Sequence, residues 1–254
     1  MTQLLLIARK ECGVFFRTPF ALAILPLFLI LVGIFSFAKL DAYAALLEGG
    51  DGSFIVKGLS VTTHILLPYF KDLLNIFIFF VPLVTMRSFA EEKRVGTYDL
   101  LISYPLRPWQ ILLWKYLGLL TFVMFMLLLT TPLVWFCVWR GEPFLQQIAT
   151  SYLGFFLFLL FYTALGLVAS LLTENQFVAA ILSYAGFFAT TIFSWLAFIS
   201  TAPWDKVFAN FLLTNHQNSF RNGLVYLGDV AVFVCVTLLL LLLALRKLSQ
   251  HYAR

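Results

Sequence analysis

Apolar runs of about twenty residues, parted by short polar or charged stretches, set the rhythm of this chain. A helix that crosses a bilayer needs about 20 mostly apolar residues. Six runs meet that length and predict spans over residues 20–38, 68–86, 116–139, 148–172, 177–199 and 225–245. Thr18-Pro19 supplies an N-cap and first-turn pair for the first. Lys71 and Asp72 place the outer end of the second at headgroup level, and Thr130-Thr131-Pro132 predicts a kink near the middle of the third. Residues 1–17 have a different pattern. Leu4, Leu5, Ala8, Cys12, Phe15 and Phe16 share one arc of a helical wheel, while Arg9, Lys10 and Arg17 lie mostly on the other. This reads as an amphipathic helix lying on the inner leaflet, with an extension of the first span as the alternative.

Composition agrees. Of 254 residues, 62% are hydrophobic and 11% charged, whereas a soluble domain carries about 25% charged residues. The expected fold is an all-α integral membrane protein of one transmembrane domain. Cys12, Cys137 and Cys235 match no zinc or disulfide spacing, and His64, His216 and His251 are scattered.

Six spans put both termini on one side. That side carries Arg9, Lys10, Arg17, Arg87, Lys93, Arg94, Arg107, Lys115, Arg246, Lys247 and Arg254. The other carries Lys39, Lys57, Lys71, Arg140, Lys206 and Arg221. The excess of positive charge predicts cytoplasmic termini. It also accounts for the net charge of +5 without a nucleic-acid surface, for which no basic run is long enough. Outside, residues 39–64 read as a polar loop. Residues 200–223 mix Trp204, Phe208, Phe211 and Leu212 with Asn and Gln, which predicts short outer-side helices between spans five and six.

The segment between spans two and three, residues 87–107, holds much of the charge. Ser88 and Glu91 have capping-box spacing, Gly96 can end a helix, and Thr97 can cap a second short one with Asp99 near its positive end. Tyr98, Leu101 and Ile102 would form an apolar face, and Pro105 and Pro108 would end it and begin span three. The result is a charged elbow at the inner membrane face. Apolar anchors at helical spacing, with charges to orient them, suit docking into a partner's groove. An interfacial loop whose cations fix topology is the plainer reading.

The run RSFAEEKRVGTYDLLISYPLRPWQILLWKYLG, residues 87–118, together with SYLGFFLFLLFYTALGLVASLLTENQFVAA, residues 151–180, resembles the permease subunits of ABC-2 type transporters. It is most similar to the gliding-motility and nitrous-oxide-maturation group. The resemblance covers essentially the whole chain. It implies a bacterial inner-membrane subunit that pairs with a second permease, identical or homologous, above a dimer of separate ABC ATPase subunits. An outer-side accessory subunit occurs in gliding-type systems. The resemblance places an ATPase-coupling helix in the elbow, where Arg87, Glu91, Glu92, Arg94, Gly96, Thr97, Leu100, Leu101 and Pro105 match the family pattern. Tyr98-Asp99 and Trp114 depart from it.

The chain has no Gly-x4-Gly-Lys-Ser/Thr phosphate loop. No cofactor is expected on it, ATP and magnesium belonging to the partner, and no catalytic or metal-binding residues are expected either. Glu174 and Asn175 fall in the short inner turn between spans four and five, as a second ATPase contact or, for Glu174, a cap of the next helix. Asp229 lies in the first turn of span six, where it suits the helix dipole. Gly154, Gly166, Ala169 and Ser170 give span four small faces for close packing. A proton-coupled secondary carrier would want carboxylates deep in the membrane, and an intramembrane enzyme would want clustered His, Asp, Ser or Cys. The pattern offers neither. The function that the resemblance implies is a permease subunit that couples ATP hydrolysis on a partner to export, or to mechanical work on an outer-side partner, with the proton-coupled carrier as the alternative.

Overall fold

A computed structural model describes residues 19–48, 60–103, 107–141, 143–199 and 213–252. The elements are α1 (Pro19–Glu48), α2 (Leu67–Thr85), α3 (Arg87–Val95), α4 (Tyr98–Ser103), α5 (Pro108–Leu128), α6 (Thr131–Gly141), α7 (Leu145–Leu172), α8 (Gln176–Ile199), α9 (Leu213–Arg221) and α10 (Leu227–Tyr252). A single wide π turn, Thr62–Leu66, leads into α2. No strand occurs among the described residues.

Five helical stretches are long and apolar enough to cross a membrane: Ala23–Leu46, Thr62–Val95, Pro108–Arg140, Leu145–Leu172 and Leu227–Gln250. The fifth expected span is helical as α8, but its apolar stretch, Gln176–Thr190, falls short of that length among the described residues. The expected amphipathic helix at residues 1–17 lies outside the described residues, as do 49–59 and 200–212.

Three boundaries move, the least of them at the end of span six, where the helix runs to Tyr252 instead of 245. The polar loop expected from residue 39 begins later, because α1 continues to Glu48. At 1.5 Å per residue its 30 residues run about 45 Å, beyond the roughly 30 Å hydrocarbon core. The stretch Asp41-Ala-Tyr-Ala-Ala-Leu-Leu-Glu48 is rich in good helix formers, and Lys39 reaches Asp72 on α2 at 2.7 Å. Span three begins at Pro108, well before residue 116. Lys115 broke the apolar run in the sequence, yet its charge is paired inside the bundle.

Helix α7 is the axis. It contacts α2, α3, α5, α8, α9 and α10, and its small residues make this possible. A Cβ on Gly154 would lie 2.7 Å from Phe220 Cβ, and one on Gly166 would lie 2.7 Å from Thr85 Cβ and nearer still to its Oγ1. Backbones can approach closely where side chains are absent. Buried aromatics fill the remaining space, with Phe28 set against Phe77 and Phe80, and Phe155 against Phe70 and Phe77. By contrast α1 and α10 leave most of their apolar surface uncovered, Ile30, Ile34, Phe37, Leu238, Leu239 and Leu242 among it.

Tyrosines stitch the bundle where helices break. Pro82 has no N–H, so the Ile78 carbonyl loses its helical donor. The Tyr162 hydroxyl donates to that carbonyl at 2.8 Å. The expected kink is present: α5 ends at Leu128 and α6 begins at Thr131. Pro132 withholds a donor from the Leu128 carbonyl, which takes the Thr131 hydroxyl at 2.8 Å instead. The Thr130 carbonyl accepts from Tyr69 at 2.9 Å. Unmet backbone groups are costly in lipid, and these side chains make the breaks tolerable.

Candidate functional site: the elbow

The elbow forms at one end of the bundle. Helix α2 stops at Thr85 and α3 starts at Arg87, with Met86 as the joint. The first turn of α3 carries backbone N–H groups with no partner inside the helix. The expected capping box does not supply one. No side chain caps α3 from its own N-terminus, and Ser88 sits one residue inside it, buried. Ser170 on α7 does the work instead. Its hydroxyl oxygen accepts from the N–H of Phe89 (2.9 Å) and of Ala90 (3.0 Å), and its proton goes to the Met86 carbonyl at 3.0 Å. A residue placed in the sequence as a small packing position thus caps the elbow from another helix.

The far end of α3 closes as the sequence anticipates. Gly96 has φ 77°, a conformation glycine adopts without penalty. Gly96 N–H donates to the Lys93 carbonyl at 3.2 Å and Thr97 N–H to the Glu92 carbonyl at 3.0 Å, a Schellman closure. The Thr97 hydroxyl also turns back to the Glu92 carbonyl, at 3.4 Å. Tyr98 is buried, with its ring edge-on to Phe89 and under the Lys93 ammonium.

The named elbow residues divide into two groups. Arg94, Gly96, Thr97 and Leu100 are exposed at the tip, and Leu101 is half-buried. Val95 and Leu100, 63% and 65% exposed, make an apolar knob at the tip beside Arg94 and Thr97. Arg87, Glu91 and Glu92 face the bundle more than the tip. Arg87 stacks on Phe20 with 3.9 Å from guanidinium to ring centre and lies 3.8 Å from Glu91. Glu92 pairs with Lys115 at 2.6 Å. Pro105 lies outside the described residues.

Lys93 donates to the Leu171 carbonyl at 2.5 Å, tying α3 to the last turn of α7. Burial holds its ammonium below the usual lysine range; Glu174 works in the opposite direction, while Lys247 adds to the lowering. The turn at residues 173–175 therefore sits beside the elbow, with Glu174 and Asn175 both exposed. Glu174 is not the cap of α8. Asn175 is, its side-chain oxygen accepting the Phe177 N–H at 2.9 Å.

At the opposite end, His216 on α9 and Asp229 in the first turn of α10 meet at 2.6 Å, both largely buried. The sequence left His216 without an acidic neighbour. Thirteen residues separate the two, and the fold-back of α9 against α10 brings them together. No group of three or more His, Cys, Asp or Glu able to hold a metal occurs among the described residues.

An all-helical bundle with five stretches able to cross a bilayer, a helix broken and capped at one end and apolar faces left uncovered, defines a multi-pass membrane protein. Comparison with known families gives a match over residues 5–245, nearly the whole chain. The chain belongs to the ABC-2 family transporter proteins, the membrane components of ABC transporters. No individual curated protein matches it. Membership implies association with an ABC ATPase, and subunits of this kind are generally not themselves catalytic.

Proposed function

We propose that this chain is the permease subunit of an ATP-driven transporter whose separate ATPase subunit seats on the tip formed by α3 and α4. The observation that carries this reading is the knob of Val95 and Leu100 at the end of a helix clamped to the bundle. Exposed apolar side chains flanked by Arg94 and Thr97 are what a helix-in-groove contact needs. A force applied there reaches α5 and α7 through side-chain bonds. The exposed turn with Glu174 and Asn175 adds a second contact at the same end.

In this reading the elbow faces the cytoplasm of a bacterial inner membrane. The chain crosses six times, with α8 as the fifth crossing, and both termini are cytoplasmic. ATP and magnesium bind on the ATPase dimer. A second permease, identical or homologous, covers part of the exposed apolar surface, and an outer-side subunit receives cargo or force. The gliding-motility and nitrous-oxide-maturation group is the subgroup whose sequence pattern fits best.

Purification in mild detergent from native membranes, followed by mass spectrometry and an ATPase assay, tests the reading. An ABC ATPase should accompany the wild-type chain. Val95→Asp combined with Leu100→Asp should reduce its recovery about tenfold or more, with the permease still monodisperse. Full recovery with that variant, or no ATPase with the wild type, would sink the assignment.

A further inference from the structure

Among the described residues two charged side chains are buried, Lys115 and Asp229. Asp229 is answered by His216 at the end away from the elbow. Lys115 is 4% exposed on α5, and it reaches three residues of the elbow. Its ammonium lies 2.6 Å from Glu92 Oε1, donates to the Ser88 carbonyl at 3.0 Å and sits 5.0 Å from the centre of the Phe89 ring. We infer that Lys115 is a positioning residue which, through Glu92 and the Ser88 carbonyl, locks α3 to α5 so that the elbow and the third span move as one lever. The inference rests on the proposed docking of an ATPase at the elbow and adds how that contact is transmitted.

The geometry favours transmission over simple adhesion. Ser88 and Glu92 are one helical turn apart on α3, so a single ammonium grips two successive turns. A one-point contact would let α3 pivot, whereas two points on one face fix its tilt as well. Loss of the Glu92 carboxylate would leave the buried Lys115 ammonium without its ion-pair partner, which is costly, so a loosened joint is disfavoured. Ser170 at the first turn and Lys93 on Leu171 hold α3 against α7. The compliance lies elsewhere, at the break between α5 and α6, where the helix ladder is already interrupted. Displacement of the tip therefore swings α5 as a rod instead of bending the elbow.

Two measurements on the full chain test this. In the first, spin labels at Val95→Cys and Leu117→Cys, on a background lacking the native cysteines, report the distance between tip and α5 in nanodiscs. Lys115→Met and Glu92→Gln should each widen the distribution, and Lys115→Arg should keep it narrow. The second uses the complex with its co-purified ATPase. Lys115→Met should bring down ATPase at wild-type yield, yet the Mg·ATP-dependent change in maleimide labelling of Trp139→Cys should fall about fivefold or more. Glu92→Gln, which keeps the side-chain shape, repeats the test should Lys115→Met fold poorly. Distributions as narrow as wild type in both variants, or an undiminished nucleotide response, would overturn the lever while leaving ATPase docking intact. Absence of any ATPase with the wild type would instead remove the docking reading, and the coupling role with it.

Discussion

At the scale of single residues, several polar side chains serve backbone atoms that helix breaks leave without a partner, while others, Thr163 and Thr237 among them, bond back within their own helix. Ser170 is the densest case, with three hydrogen bonds to the Met86–Ala90 segment from one hydroxyl. Ser170→Ala should lower stability by about 0.5–2 kcal/mol, the range for losing a cap, and thermal unfolding in detergent would show it. Tyr162→Phe removes the donor to the Ile78 carbonyl beside Pro82. A loss near 0.6 kcal/mol and below about 1.7 kcal/mol is expected, the measured range for hydrogen bonds between membrane helices. An unchanged unfolding temperature would mean that water or another donor reaches that carbonyl. Neither role was legible in the sequence. Ser170 reads as a small packing residue and nothing local singles out Tyr162, because their acceptors lie about 84 residues away.

At the scale of elements, helix existence was readable and helix ends were less so. Apolar length alone gave α2 and α7 to within a few residues, while α10 runs on past the expected 245 to Tyr252. Gly96 gave the stop of α3 and Pro132 the break in the third span. The other two shifts have a common cause. Span three starts before residue 116 and α1 runs past residue 38 although Lys115 and Lys39 interrupt the apolar runs there. Both lysines are neutralised by partners on other helices, Glu92 and Asp72. Packing between elements also gives a sharp prediction. Gly166→Val would drive a side chain into Thr85, and overpacking of this kind costs about 1–3 kcal/mol. Thr85→Ala in the same chain should recover part of that loss. A double variant no more stable than Gly166→Val alone would mean that the strain lies in the backbone.

At the scale of the whole molecule, the two ends differ in charge. The elbow end gathers Arg87, Lys93, Arg94, Arg107, Lys115, Arg246 and Lys247, against Lys39, Lys71, Arg140 and Arg221 at the other among the described residues. This asymmetry supports the proposed orientation, and single cysteines can read it. An impermeant maleimide should label Trp139→Cys and Tyr226→Cys in intact cells, and Arg94→Cys and Ser249→Cys after permeabilisation. The reverse pattern would overturn the orientation, and opposite behaviour of Arg94 and Ser249 would overturn the even number of crossings.

By itself the sequence determined the solvent and the class. Apolar runs long enough to span a bilayer, and a charged elbow between two of them, follow from local composition, which burial in lipid reads directly. Family membership followed from the same stretches. Tertiary structure decided which residues at the elbow face outward and which hold it in place. Glu91 and Glu92 stand side by side in the chain, yet one lies beside Arg87 and the other reaches Lys115. Asp229 looked like a helix-end charge until α9 folded His216 against it. A partner brought from another helix leaves no periodic trace in the sequence, because its position depends on how the helices pack, and in this bundle that packing is set by the small residues of α7.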